Sequence, residues 1–385
     1  QGAGVVLGFI DTGIRYELDV FRKEDGSSRI MALWDQTIQD GEPPEGFLYG
    51  TEYTRAQIDR ALQTEEPALL VPSTDTNGHG TFLAGIAAGG ILPNQDFTGA
   101  APECELVIVK LKPAKQYLRD FYLISNDADA YQENDIMMGI KYLRVEAYSQ
   151  RKPLVILLGI GSNLGSHEGT SPLNVMIQDI SRYLGMATVI AAGNETGRGH
   201  HYMGSVPIGE ESVEVEIRVG NAESQRGFVV ELWADTADTY SVGFVSPSGE
   251  SIGRIPIIGR NETSIPFLLE PTVITVNYQL IETGAGKQLV FIRFEAPTNG
   301  IWRIRVYNTQ YLTGQFNMWL PAHTLISDET VFLTPSPYTT ITLPGDSPSP
   351  ITVGAYNHLN NSIYIHSGRG YTIDGLIKPD LAAPG

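Results

Sequence analysis

Short apolar runs that alternate with one-sided helical patterns most constrain the first half of this chain. Val5–Ile10 is a continuous apolar run interrupted only by a glycine, the pattern of a strand buried on both faces of a parallel sheet. Leu106–Leu111, Leu154–Leu158 and Ala187–Ala192 repeat it. Between these runs, Asn134–Tyr148 sets Ile136, Met137, Ile140, Leu143 and Ala147 on one stripe. Pro172–Leu184 does the same with Leu173, Met176, Ile177, Ile180 and Leu184. Strand and helix in alternation predict an α/β unit, a parallel sheet with helices on both faces.

The texture changes from about Ser205 to Pro335. Ser212–Val219 alternates strictly between apolar and polar, and Phe228–Ala234, Tyr240–Val245, Val273–Leu280, Gln288–Glu295 and Ile301–Tyr307 follow. Ser246-Pro-Ser-Gly249 and Thr298-Asn-Gly300 read as turns between them. Short strands without a convincing helix predict a β-sandwich. Ile351–Ala355 and Ile377–Gly385 then return to the α/β texture, so the β domain is an insertion. The division is 1–204, 205–335 and 336–385, with the proline-rich residues 335–350 as the return linker.

Composition narrows the partners. Of 385 residues, 26 are Lys or Arg and 44 Asp or Glu, a net charge of −18 that argues against a phosphate backbone or an anionic membrane surface as the binding partner. The 42% apolar content is enough for real cores. A single cysteine, Cys104, leaves no internal disulfide framework and no multi-cysteine zinc site, and it reads as structural. No apolar run approaches the ~20 residues of a membrane span.

Three segments carry chemistry. Phe9-Ile-Asp-Thr-Gly13 puts Asp11 at the carboxyl end of a buried strand, where functional groups collect in open α/β sheets. Taken alone it is equally an Asx-turn, and the Asp-Thr-Gly of aspartic proteases would need two such loops where this chain has one. Asn77-Gly-His-Gly-Thr81 opens a helix of small residues, with His79 at its N-terminus. The helix dipole disfavours an imidazolium there, so a general base at His79 needs a carboxylate to orient and compensate it, and Asp11 is the candidate. Val189–Gly197 is a strand ending in Gly193-Asn194, whose side-chain amide can donate to a developing oxyanion. Each segment by itself has a plain turn reading.

In this order, with Lys378-Pro-Asp-Leu-Ala-Ala-Pro-Gly385 at the end, the segments resemble the subtilisin family of serine proteases across residues 1–200 and 350–385. The resemblance implies Asp11 as orienting carboxylate, His79 as general base and acid, and Asn194 as oxyanion-hole donor. It makes Gly159, Ile160, Gly161 and Ser162 the strand that pairs with substrate, with Ala191, Ala192 and Gly193 across the specificity pocket. The substrate class it implies is protein or peptide. The interval from Asp11 to His79 is longer than in compact members, and Phe82 stands where the family often has a polar residue. The inserted β-sandwich is similar to the jelly-roll insertion of the bacterial Csp-type germination proteases, which implies an extracellular or spore and cell-envelope location. A packing domain that braces the catalytic one is the plainer account of the insertion.

In that family the nucleophilic serine lies in a Gly-Thr-Ser turn beyond the Ala-Pro-Gly, so it is expected beyond residue 385, and the chain as given is expected to be inactive by itself. An N-terminal pro-segment ahead of Gln1 is expected on the same ground. Gly169-Thr-Ser171 is not that turn: Pro172 follows it, so Ser171 reads as a helix N-cap. No cofactor is implied. Asn94 and Asp96 lie in the loop after the His79 helix, where relatives often bind Ca2+; two oxygen ligands do not by themselves make a site, and the resemblance leaves Ca2+ open there. His200-His201 and His167-Glu168 lack zinc spacing and read as surface loops. Two other classes of function stay open at this level. One is a catalytically inert member of the fold that binds a protein partner; the other is a lectin-like module built on the sandwich.

Overall fold

The structure is a computed structural model that describes residues 1–92, 96–257 and 262–385. Its first layer is a sheet built from β1 (Val6–Asp11), β2 (Ile30–Asp35), β3 (Thr51–Thr54), β4 (Glu105–Lys110), β5 (Leu154–Leu158) and β6 (Met186–Ala191). In this sheet β1 is central, with β4 and β5 parallel on either side: Val6 faces Glu105 and Leu154, and Asp11 faces Lys110. Helices α1 (Arg55–Leu62), α2 (His79–Ala88), α3 (Gln116–Tyr122), α4 (Glu133–Ser149) and α5 (Pro172–Ile180) connect these strands.

Both faces of β1 are covered, which is why its residues are apolar without alternation. Val6 and Ile10 pack with Ile140 and Leu143 of α4 and Ile177 of α5. Phe9 packs on the other face with Ile58 of α1 and Ala84 and Ala88 of α2. Helix α4 sits so close that a Cβ on Gly8 would come within 2.6 Å of the Leu143 side chain, so the glycine in the strand is a packing requirement. The small residues of α2 serve the same end. They bring the helix carrying His79 down onto the sheet.

The insertion supplies β7 (His201–Ser205), β8 (Ser212–Val219), β9 (Gly227–Ala234), β10 (Thr239–Val245), β11 (Ser251–Ile252), β12 (Thr263–Pro266), β13 (Val273–Gln279), β14 (Gln288–Glu295), β15 (Gly300–Gln310), β16 (Gln315–Trp319) and β17 (Val331–Phe332). Among the described residues they form two sheets, in the orders β11-β10-β15-β8-β17 and β12-β13-β14-β9-β16-β7. Phe228, Val230 and Leu232 of β9 meet Ile217, Trp302 and Ile304 of the other sheet in a shared core. The other face of β9 is also buried. Val229 and Trp233 pack with Leu289, Phe291 and Trp319 against Tyr122 and Leu164 of the first layer. Phe291 stacks on Phe121 at 5.3 Å between ring centres, and Lys287 pairs with Glu168 at 2.6 Å. The sandwich therefore rests on the α/β layer through an apolar face, each large side chain buried there contributing about 1.5–3 kcal/mol.

The chain returns through β18 (Ile351–Asn357), β19 (Ser362–Ile363) and β20 (Leu381–Pro384). Strand β18 joins the first sheet beside β6 in parallel, with Ile351 opposite Val189. The molecule is thus an α/β parallel-sheet fold with an inserted all-β domain.

Four details differ from the expectations raised by the sequence. Sandwich pairing begins at His201–Ser205, upstream of Ser205, because β7 pairs edgewise with β16 and needs no apolar alternation. Helix α5 stops at Ile180, and Leu184 is exposed rather than on the buried stripe. The strands β2 and β3 extend the sheet inside the long interval between Asp11 and His79. Residues 340–347 are buried throughout and are not a loose linker. Leu343 exchanges both backbone hydrogen bonds with Ser162, and Thr342 N donates to Ala192 O at 3.1 Å.

Candidate active site

Asp11 ends β1 and His79 opens α2, and the tight packing of α2 on β1 brings them together. Nδ1 of His79 lies 2.7 Å from Oδ1 of Asp11, across 68 residues of chain. The carboxylate is 2% exposed, whereas the imidazole side chain is 43% exposed. The acceptor-only carboxylate fixes the tautomer: Nδ1 carries the proton and Nε2 is free to accept one. The bond to Asp11 raises the imidazole pKa above its ordinary 6.5, outweighing the burial that would lower it.

The turn that aims His79 is held by a residue not singled out from sequence. Asp75 is buried and accepts from Gly78 N at 2.8 Å, Thr81 N at 2.9 Å and Thr81 Oγ1 at 2.6 Å. It thereby satisfies orphan donors at the start of α2 and places negative charge at the helix N-terminus. Burial raises the Asp75 pKa, but these hydrogen bonds outweigh it and leave the carboxyl below the usual value. Thr12 Oγ1 adds a bond from Gly80 N at 2.9 Å. No local pattern announces it, because Asp75 stands three residues ahead of the N-cap Gly78 rather than at the cap itself.

Gly159, the first residue after β5, lies against the pair. A Cβ there would stand 3.2 Å from His79 Cε1 and 3.5 Å from Asp11 Oδ2, and would overlap the Leu83 side chain. Oδ2 of Asp11 is buried without a hydrogen-bond partner among the described residues. Ile160 and Ser162 continue the segment, and Gly161 faces Thr342, whose side chain takes up the room of a Cβ. On the opposite side, past Ala191 and Ala192, the same threonine meets Gly193. A Cβ on Gly193, whose φ is +91°, would approach both Cγ2 and Oγ1 of Thr342 at 2.5 Å. Thr342 thus joins the two glycine segments as a shared wedge. Asn194 follows, exposed in the turn after β6.

Other candidates fall away from this group. Ser171 caps α5, its Oγ accepting from Asn174 N at 3.2 Å. Phe82 points outward, 64% exposed on α2. Cys104 is buried. The histidines expected in surface loops are instead buried: His167 and His201 both stack on Trp319, with ring centres 4.1 and 4.7 Å away. His200 is buried beside Glu195. They lie where the sandwich meets the α/β layer, a tertiary contact that local polarity does not show. Among the described residues no group of three or more His, Cys, Asp or Glu could hold a metal ion. Asn94 lies outside the described residues, and Asp96 is exposed. No helix among the described residues is long and apolar enough to cross a membrane.

Comparisons with known proteins bear on the family and the fold. The family model described as the subtilase family matches residues 2–249 and 334–385, leaving out much of the sandwich. The solved structure of the Clostridium perfringens CspB protease superposes with a TM-score of 0.85 at 31% identity, covering 100% of this chain and 76% of that one. Subtilisin-like protease SBT3.10 of Arabidopsis thaliana is 33% identical over 109 residues, which is 26% of this chain and 14% of that protein. Pyrolysin of Pyrococcus furiosus is 24% identical over 236 residues, 56% of this chain and 15% of that protein. The match thus spans about one seventh of the length of these two curated relatives. With a matching family model over most of its length and a subtilisin-like layer in its structure, the chain belongs to the subtilase family.

Proposed function

We propose that residues 1–385 carry the base, the orienting carboxylate and the oxyanion donor of a subtilisin-like serine endopeptidase acting on protein substrates. His79 Nε2 takes the proton of a serine hydroxyl as that oxygen attacks the scissile carbonyl, then delivers it to the leaving amine. Asp11 holds the ring in the Nδ1-protonated tautomer and stabilises the imidazolium that forms. Asn194 donates its amide to the carbonyl oxygen as it becomes an oxyanion, a contribution of roughly 10²–10³ in rate. Gly159–Ser162 offers backbone groups to an extended substrate strand, with Ala191–Gly193 across from it.

One observation carries the reading. A buried carboxylate at the carboxyl end of the central strand is paired with a half-exposed histidine at 2.7 Å, in a family whose members are proteases. A structural ion pair would have no need to leave the imidazole 43% exposed. The test uses the full-length protein, a fluorophosphonate probe and the His79→Ala variant. Labelling of a serine that needs His79 is the expected result. A folded full-length protein that takes no label is instead an inert binding member of the fold.

A further inference from the structure

The residue after Asn194 points the other way. Glu195 is 3% exposed, and its carboxylate accepts four hydrogen bonds. Oε2 receives Asn163 Nδ2 at 2.8 Å and His200 Nδ1 at 2.8 Å. Oε1 receives the backbone N of His323 at 3.0 Å and its Nδ1 at 2.7 Å. The donors come from three separate places. Asn163 directly follows Gly159–Ser162, His200 leads into the insertion, and His323 lies beyond β16 inside the inserted domain. Arg198 N closes the turn by donating to Glu195 O at 3.1 Å.

A buried carboxylate with all its lone pairs engaged has one position available to it, since any rotation would leave a buried donor unpaired. Burial alone would raise the Glu195 pKa, but the bonds from His200 and His323 outweigh it and hold the carboxyl below its usual range. The group therefore stays ionised, and both histidines must present Nδ1–H to it. The bonds are charge-assisted, the strong kind. Neighbouring contacts tighten the same region: Thr196 Oγ1 meets Thr340 Oγ1 at 2.6 Å, and Leu320 N donates to His200 O at 2.9 Å.

We propose that Glu195 is a positioning residue for Asn194, and that the inserted domain, through His323, holds the oxyanion donor in place. The carboxylate locks the Asn194 turn to the Gly159–Ser162 segment on one side and to the sandwich on the other. The insertion is then part of the catalytic apparatus, although none of its residues touches substrate. This rests on the proteolytic reading of the site.

The experiment is a double-mutant cycle in the full-length protein, reading kcat and KM on a peptide substrate and the rate of fluorophosphonate labelling. Glu195→Gln puts an amide nitrogen against donors and is expected to lower kcat about tenfold with KM within about twofold, since a displaced donor costs the transition state rather than binding. His323→Ala is expected to give a smaller loss of the same kind, recovered by His323→Gln, which keeps a side-chain donor. In an Asn194→Ala background, neither change should lower kcat further. Losses that multiply in that background overturn the proposal, as does a folded Glu195→Gln variant with undiminished kcat. If Glu195→Gln does not fold, the cycle of His323→Ala with Asn194→Ala decides the same question, because His323 is partly exposed. A wild-type protein that takes no label overturns the proteolytic reading and this one together, whereas multiplying losses overturn this one alone.

Discussion

His79 and Asp11 meet through a 2.7 Å bond in which one partner is almost wholly buried and the other stands half in solvent. The base must be neutral to take a proton, and its pKa lies above 6.5 because the Asp11 bond favours the charged form. The rate in full-length protein should therefore rise with pH, with its midpoint above that of an ordinary histidine. Asp11→Asn should move the midpoint down and lower kcat by roughly three to four orders of magnitude. Stability runs the opposite way. The pair's contribution is fully present below the unfolded-state pKa and ebbs as pH rises through the folded one. A kcat profile in Asp11→Asn with an unmoved midpoint would contradict the assignment.

Asp75 should be needed for the same geometry without touching the ring. Asp75→Ala leaves Gly78 N and Thr81 N without their acceptor and is expected to cost about 1–2 kcal/mol. Because its folded pKa is depressed, this stabilisation is present above the unfolded-state value and lost as pH falls through the folded one. Thermal melts of wild type and Asp75→Ala at neutral pH and in acid, below the ordinary carboxylate range, check it: the gap should narrow in acid.

Much of the site was legible because its parts are local. Asp11 terminates an apolar run, His79 stands in a glycine-flanked helix start, and Asn194 follows a strand-ending glycine. Each pattern fits within a few residues. The α/β layer was legible for the same reason, since burial on two faces writes itself as unbroken apolar strands. What sequence did not show depends on contacts across long separations. Glu195 meets His323 across 128 residues, and residues 340–347 look like a linker because of the prolines in and around them. Their burial comes from partners elsewhere: Ser162 and Ala192 supply the backbone bonds. Local polarity puts the buried histidines on the surface for a related reason. Seating the sandwich on the other layer gives His167 an aromatic partner in Trp319, which His201 of β7 faces across the strand pair with β16.

That histidine stack should make the protein acid-sensitive. Burial pushes both His167 and His201 down to about 4, against the hydrogen bonds that favour charge. The unfolded chain gains protons near pH 6.5 while the folded one resists, so stability should fall between about pH 6.5 and pH 4, by on the order of 3 kcal/mol for one such histidine. His201→Phe keeps the ring against Trp319 and removes the titration. Its melting temperature should be lower than wild type at neutral pH yet fall less on acidification; an equal slope in both proteins would mean that His201 is not the titrating group.

Thr342 wedged between Gly161 and Gly193 gives a prediction that separates crowding from backbone strain. Gly161→Ala should destabilise by about 1–3 kcal/mol through overlap with the threonine side chain. Gly193→Ala should cost more, because at φ +91° an L-residue adds strain of roughly 1–2 kcal/mol to the same overlap. Removing the wedge distinguishes the two contributions. In a Thr342→Gly background, Gly161→Ala should keep only the milder approach to Leu343 O at 3.2 Å, while Gly193→Ala should retain the strain of its left-handed backbone. Denaturant melts of the single and double variants read this directly. If Thr342→Gly rescued both alanines equally, the left-handed backbone at Gly193 would carry no cost of its own, and crowding would be the whole reason for both glycines.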